Sequence, residues 1–371
     1  MKQNYTNLFA QYGYDQQEID ERLRKIVNTI FFGKEDEKFF YMDDDYAYIV
    51  DTGNSDVRTE GMSYAMMMFV QLDMKKEFDA TWRWAMKYMY QTEGINRGYF
   101  AWSCALDGRK NSQGPAADGE EYFAMALFFA SNRWGDGEGL LNYSEHARNI
   151  LWDCIHKGEK PGDGLPIWNL QNKLVKLVPK MEITDPSYHL PHFYELFALW
   201  AKEEDREFWK EAAQASRDYL KLVCHPVTGL APEYANFDGT PHVGLQQHHL
   251  FYSTSYRVAA NIGLSYEWWG KDEWECECAD RIQKFFFETV RGRDDLVYEI
   301  NGNVIDRPAL HPVGLIATNA MASLAAKGRY KEAAVRKFWN TPLRTGERRY
   351  YDNCLYLFAF LALSGNYRIY A

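Results

Sequence analysis

Helical periodicity runs through almost the whole chain and leaves little room for a sheet. Apolar residues recur at helix spacing over 15–32, 60–74, 76–91, 119–133, 143–156, 188–203, 205–223, 253–268, 272–290, 312–326, 329–339 and 350–363. Segments such as "EGMSYAMMMFVQL" and "EEYFAMALFFASNRW" are apolar almost all round, so every face of those helices needs cover. "QQEIDERLRKIVNTIFF" and "EEDREFWKEAAQASRDYLKLV" are apolar on one side only, and their other side belongs in water. The two kinds tend to alternate. That order predicts an all-α fold in which an inner ring of six helices is wrapped by an outer ring of six. No Pro/Gly/Ser-rich linker or charge block divides the 371 residues, so one domain over 1–371 is expected.

Several classes drop out on composition. A net charge of −10 without a basic patch argues against nucleic acid as a partner. The cysteines (Cys104, Cys154, Cys224, Cys276, Cys278, Cys354) are scattered, and the one close pair, Cys276 and Cys278, has no partners at metal spacing. Buried free thiols in a reducing compartment are expected. The start "MKQNYTNLFAQYGYD" has no apolar signal core, and no stretch approaches a membrane span. A soluble, cytoplasmic protein with no membrane partner is the expectation. Its 12 Trp and 26 Tyr exceed what a helical core needs, and flat rings with polar tips suit stacking on sugar faces.

The chemistry should sit in the long polar-aromatic linkers and at the helix starts that follow them. In "DVRTEGMSYAMMMF", Glu60 falls in the first turn of an almost wholly apolar helix. A carboxylate there can simply answer the helix dipole, or it can be a desolvated general acid with a raised pKa. In "GPAADGEEYFAMALFFASNRWG", Asp118 is a candidate N-cap with Glu120 and Glu121 behind it, after a loop that holds Trp102. "TDPSYHLPHFYELFALW" gives a third such start, with Asp185, Tyr188 and His189; its His189/His192 pair has no third ligand nearby, so no metal and no cofactor is expected. Separated carboxyls, aromatic platforms and no nucleotide, HExxH or G-x-S-x-G motif make the parts list of a glycoside hydrolase.

From about residue 50 to the end the chain resembles the family 8 glycoside hydrolases. "RTEGMSYAMMMFVQLDMKKEFDATWRWAMKYM" resembles the segment carrying that family's proton donor, and "ADGEEYFAMALFFASNRWG" the segment whose first Asp binds and distorts the sugar at the cleavage point. "DPSYHLPHFYELFA" and "YYDNCLYLFAFLALSGNYRI" follow in the family's order. The resemblance implies an (α/α)6 barrel, inverting hydrolysis of β-1,4-linked sugars, and no cofactor. It makes Glu60 the general acid and Asp118 the sugar-holding carboxylate. Trp102 and Tyr188 become stacking or hydroxyl contacts. "PALHPVGLIATNAMASLA" resembles the Leu-His-Pro loop of reducing-end xylose-releasing exo-oligoxylanases. Leu310, His311 and Pro312 are then expected to close the cleft beyond the first leaving-group subsite, with His311 reading the reducing-end sugar. An endo-acting enzyme on xylan, cellulose, lichenan or chitosan, or an oligosaccharide-binding protein on the same scaffold, are the alternatives.

One position departs from the pattern. The family's catalytic base is an Asp three residues before an arginine; in "FYSTSYRVAANIG" the arginine is Arg257 and the position holds Thr254. A threonine hydroxyl can hydrogen-bond a water but is far too weak a base to take its proton. Losing a positioned base costs about 10²- to 10⁴-fold in rate. Three origins fit: a designed replacement, another acid such as Asp238 or Glu233 supplying the base, or a natural oligosaccharide binder. Thr254 also suits a helix N-cap, and Arg257 is a candidate contact or orienting group beside it.

Overall fold

A computed structural model describes residues 4–245 and 247–371. Its helices are α1 (Leu8–Gln11), α2 (Gln16–Phe32), α3 (Thr59–Leu72), α4 (Lys75–Trp84), α5 (Ala117–Trp134), α6 (Tyr143–His156), α7 (Pro191–Trp200), α8 (Arg206–Val223), α9 (Arg257–Trp269), α10 (Glu273–Lys284), α11 (Pro312–Met321), α12 (Lys331–Trp339) and α13 (Arg349–Leu363). Every periodic segment became a helix, and the short α1 was not expected. The differences lie at the ends. The 76–91 and 272–290 segments finish as π-helical turns, Ala85–Met89 and Phe285–Thr289, and the 253–268 segment opens with a 3₁₀ turn, Ser253–Tyr256.

Burial follows the periodicity. Helices α3, α5, α9 and α13 are buried on nearly all sides, whereas α2, α4, α8, α10 and α12 each keep a wet face. Strands among the described residues form four short antiparallel pairs, of which two matter below. Val57–Arg58 (β3) pairs with Ser103–Cys104 (β4), and Ile183–Thr184 (β5) pairs with Ala235–Asn236 (β6). The other two pairs are β1 (Phe40–Asp43) with β2 (Tyr46–Ile49), and β7 (Leu296–Tyr298) with β8 (Val304–Pro308).

Two compact units divide the chain. One comprises the described residues up to Thr29 together with Ile183–His192 and Ser216–Arg368; the other comprises Ile30–Glu182, Phe193–Ala215 and Ile369–Ala371. In the second, α3 packs on α4 and α5, and α5 on α6; in the first, α11 packs on α9, α12 and α13. All six cysteines are buried free thiols. No helix among the described residues is long and apolar enough to cross a membrane.

Candidate active site

In the unit holding α3 and α5, the start of α3 is fixed by the β3–β4 pair. Arg58 lies opposite Ser103, and the Thr59 N–H donates to the Trp102 carbonyl at 3.0 Å. Glu60 follows in the first turn, half-buried between buried Thr59 and Gly61. The half-buried Trp102 ring has the Arg58 guanidinium 5.3 Å from its centre. Arg58 is itself held by Asp56 at 3.0 Å and Asp51 at 3.2 Å, so the platform carries a fixed cation on one face.

Asp118 does not cap α5. Ala116 occupies the cap position without a side-chain bond, and Asp118 sits inside the first turn, buried, accepting the Gly119 N–H at 3.0 Å. The missing cap is answered by charge instead, because a carboxylate in the first turn meets the positive end of the helix dipole. Gly119 explains how two such starts lie side by side. A Cβ there would stand 2.5 Å from Thr59 Cβ and Oγ1, so only a glycine lets α5 come this close to α3. Glu120 and Glu121 point away from water. Glu120 accepts the Phe100 N–H at 3.0 Å, with burial pushing its carboxyl well above the ordinary range, and Glu121 accepts from the Tyr194 hydroxyl. They belong to the framework behind Asp118.

The other unit gathers a second set. The β5–β6 pair sets Thr184 opposite Ala235, which brings Asp185 and the chain at Glu233 alongside each other. The Glu233 backbone N–H donates to Leu250 O at 3.0 Å. Thr254 lies in the Ser253–Tyr256 turn that leads into α9. The cap of that turn is Tyr252, not Thr254. The Thr254 N–H goes instead to Glu233 Oε1 at 3.1 Å, and its hydroxyl reaches the same oxygen at 3.4 Å. His248 Nδ1 stands 2.8 Å from Glu233 Oε2 and holds the carboxyl's far side. That hydrogen bond raises the His248 pKa. Asp238, the other loop acid, is exposed and accepts from Thr240 of its own turn, away from Thr254. Ser253, immediately before Thr254, takes φ +36°, a strained setting for a residue with a side chain and one that recurs at functional sites.

Arg257 joins this cluster. Its Nε donates to Thr254 O at 3.4 Å, its guanidinium is 3.7 Å from the buried Asp185 carboxylate, and it lies 5.5 Å from the Tyr188 ring centre and 6.0 Å from that of Tyr351. Burial pushes the Asp185 carboxyl up to about 6 despite the pull of Arg257. His189 bonds Thr184 and Ser216, and His192 packs edge-on against Trp268; burial holds both near pKa 3, as neutral core groups. No group of three metal-ligating side chains occurs among the described residues.

Also in this unit, His311 is the residue before α11 and Pro312 opens that helix. His311 Nδ1 is 3.1 Å from Asp352 Oδ2. Asp352 also accepts the Gly314 N–H at 2.6 Å and a bond from Arg344, whose guanidinium binds Leu310 O as well. Leu310 is half-buried. The sequence reading passed over Asp352. Its signal was there: a lone acid in the first turn of an apolar helix, as with Glu60.

A family model described as glycosyl hydrolases family 8 matches residues 31–365. The chain belongs to that family. As a family 8 glycoside hydrolase it has the all-α (α/α)6 fold class, and its helix order and burial fit. It is 61% identical over 98% of its length to a reducing end xylose-releasing exo-oligoxylanase of Halalkalibacterium halodurans, covering 94% of that protein. It is 57% identical over 99% of its length to the reducing-end xylose-releasing exo-oligoxylanase Rex8A of Paenibacillus barcinonensis, covering 97%. The solved structure of Rex8A complexed with xylose superposes at TM-score 0.97, with 56% identity over 99% of this chain and 98% of that one. Related solved structures at the same TM-score include a reducing-end xylose-releasing exo-oligoxylanase with one glutamate replaced by alanine, complexed with xylobiose, and one with a single aspartate replaced by asparagine.

Proposed function

We propose that this glycoside hydrolase releases xylose from the reducing end of short β-1,4-xylo-oligosaccharides with inversion. The observation that carries the reading is His311: a buried imidazole, just before α11, whose Nδ1 side is committed to Asp352. With Nδ1–H donating to the carboxylate, Nε2 is left as an acceptor for a sugar hydroxyl. The relatives named as exo-oligoxylanases, 53–61% identical, support the substrate class.

In this reading Glu60 is the general acid, protonating the oxygen that leaves as the bond breaks. Asp118 holds the distorted sugar, and Trp102 offers its face to a ring. Tyr188 and Arg257 order the surroundings of position 254, and Leu310, His311 and Pro312 define where the reducing end stops. Thr254 stands at the base position, so a water held there has no carboxylate of residue 254 to take its proton.

Incubation with xylotetraose tests the reading directly. Chromatography is expected to show xylose and xylotriose as the first products, and NMR to show the new reducing end of xylotriose appearing first as the α-anomer. Early xylobiose as the main product would favour internal cleavage instead.

A further inference from the structure

We propose that Glu233 is the terminal proton acceptor of the hydrolysis, reached through the hydroxyl of Thr254. This inference rests on the functional reading above and names the group that the Thr254 position leaves missing. Thr254 is half-buried, whereas Glu233 behind it is only 3% exposed. The hydroxyl is therefore the part of the pair that a water can meet. It donates to Glu233 Oε1, which leaves its own lone pairs to accept from that water.

The carboxylate is held for this task from three directions. The Thr254 N–H fixes Oε1, His248 Nδ1 fixes Oε2, and the Glu233 backbone is pinned to Leu250. The His248 ring stacks on Tyr234 at 4.3 Å, which keeps the imidazole in line. Neither of the other nearby acids fits as well. Asp238 is exposed in a separate turn, and Asp185, which the Thr254 side chain also approaches, spends one oxygen on the Ser187 N–H and has the Arg257 guanidinium 3.7 Å away to hold its charge.

The step balances without a co-reactant. The water oxygen's lone pair forms the bond to the anomeric carbon as the bond to the leaving sugar breaks. That bond's electrons go to the leaving oxygen, which takes the proton of Glu60. The water's proton passes to Thr254 Oγ as the Thr254 proton passes to Glu233. Glu233 then returns its proton to solvent and Glu60 regains one.

Xylose release from xylotriose would be followed for the unmodified protein and for Glu233→Gln, Thr254→Val, Thr254→Asp and Thr254→Asp/Glu233→Gln, with thermal melts and xylotriose titrations as folding controls. Glu233→Gln and Thr254→Val are each expected to lower kcat about 100-fold or more and leave KM within about threefold. The double variant is expected to recover most of what Glu233→Gln loses, because an aspartate at 254 meets the water directly and makes Glu233 dispensable. A merely structural Glu233 would not be rescued in this way. The proposal is overturned if Glu233→Gln or Thr254→Val keeps the unmodified kcat, or if the double variant stays as slow as Glu233→Gln. An inactive unmodified protein beside an active Thr254→Asp also overturns it, while leaving the exo-oligoxylanase reading intact. No xylose from any variant overturns both.

Discussion

Asp352 and His311 form a buried pair: the carboxylate, fully enclosed, stands 3.1 Å from His311 Nδ1 and also takes the Gly314 N–H and a bond from Arg344. One carboxylate thus ties together the start of α11, the histidine before it and the Leu310 carbonyl through Arg344. Removing the imidazole leaves the loop's other ties in place. His311→Ala is therefore expected to stay folded and to lose roughly 10- to 100-fold in kcat/KM on xylotriose, the cost of about 1–3 kcal/mol for an unmet hydrogen bond. Steady-state kinetics check the loss. Larger products from xylohexaose would show that the reducing-end stop has been relaxed.

Glu60 is expected to act only when the leaving group needs a proton. Glu60→Gln should lower kcat on xylotriose by about 10²- to 10⁴-fold. On β-xylobiosyl fluoride, whose fluoride departs without protonation, the same variant should lose far less. Equal losses on the two substrates would assign Glu60 to binding or folding.

Gly119 holds the helix starts that carry Glu60 and Asp118 together. In Gly119→Ala the new methyl would lie 2.5 Å from Thr59 Cβ and Oγ1, so one helix must shift. A stability loss of about 1–3 kcal/mol is expected, read as a lower Tm. A fall in kcat should accompany it, because the two carboxylates move relative to one another. Thr59→Gly added to Gly119→Ala should recover much of the Tm, since it removes the atoms the methyl meets.

Glu275 predicts a pH dependence of stability. Burial pushes its carboxyl from 4.5 to about 7, against the opposing influence of the Ser265 hydroxyl and the charges of Arg217 and Lys221, with Asp272 adding to the rise. A folded-state pKa above the unfolded value means that the contribution is fully present below about pH 4.5 and is lost as pH rises through about 7. The difference is on the order of 3 kcal/mol. Chemical denaturation at pH 4.5 and pH 7.5 should show the unmodified protein losing more stability over that window than Glu275→Gln. Parallel losses would show that the carboxyl is not held neutral.

What the sequence made legible follows from the range over which each feature is determined. Helix positions are set by local periodicity, so the segments around Met62–Met68 and Leu355–Leu363 could be placed from their own residues. Caps were less legible, because Asp118 and Thr254 both have capping side chains but stand inside their turns, behind Ala116 and Tyr252. The choice between Glu233 and Asp238 depends on the β5–β6 register and on the Glu233–Leu250 hydrogen bond, two pairings between distant stretches. Asp352 escaped notice for the same reason. Its partners His311 and Gly314 lie 41 and 38 residues away in sequence.

The most direct measurement is the fate of a label placed on the reducing-end xylose of xylotriose and followed from the first per cent of turnover. Release of one reducing-end residue predicts that all early label appears as free xylose, with unlabelled xylobiose formed in equal amount. Label appearing first in xylobiose, with unlabelled xylose beside it, would contradict that direction of cleavage and with it the role given to His311.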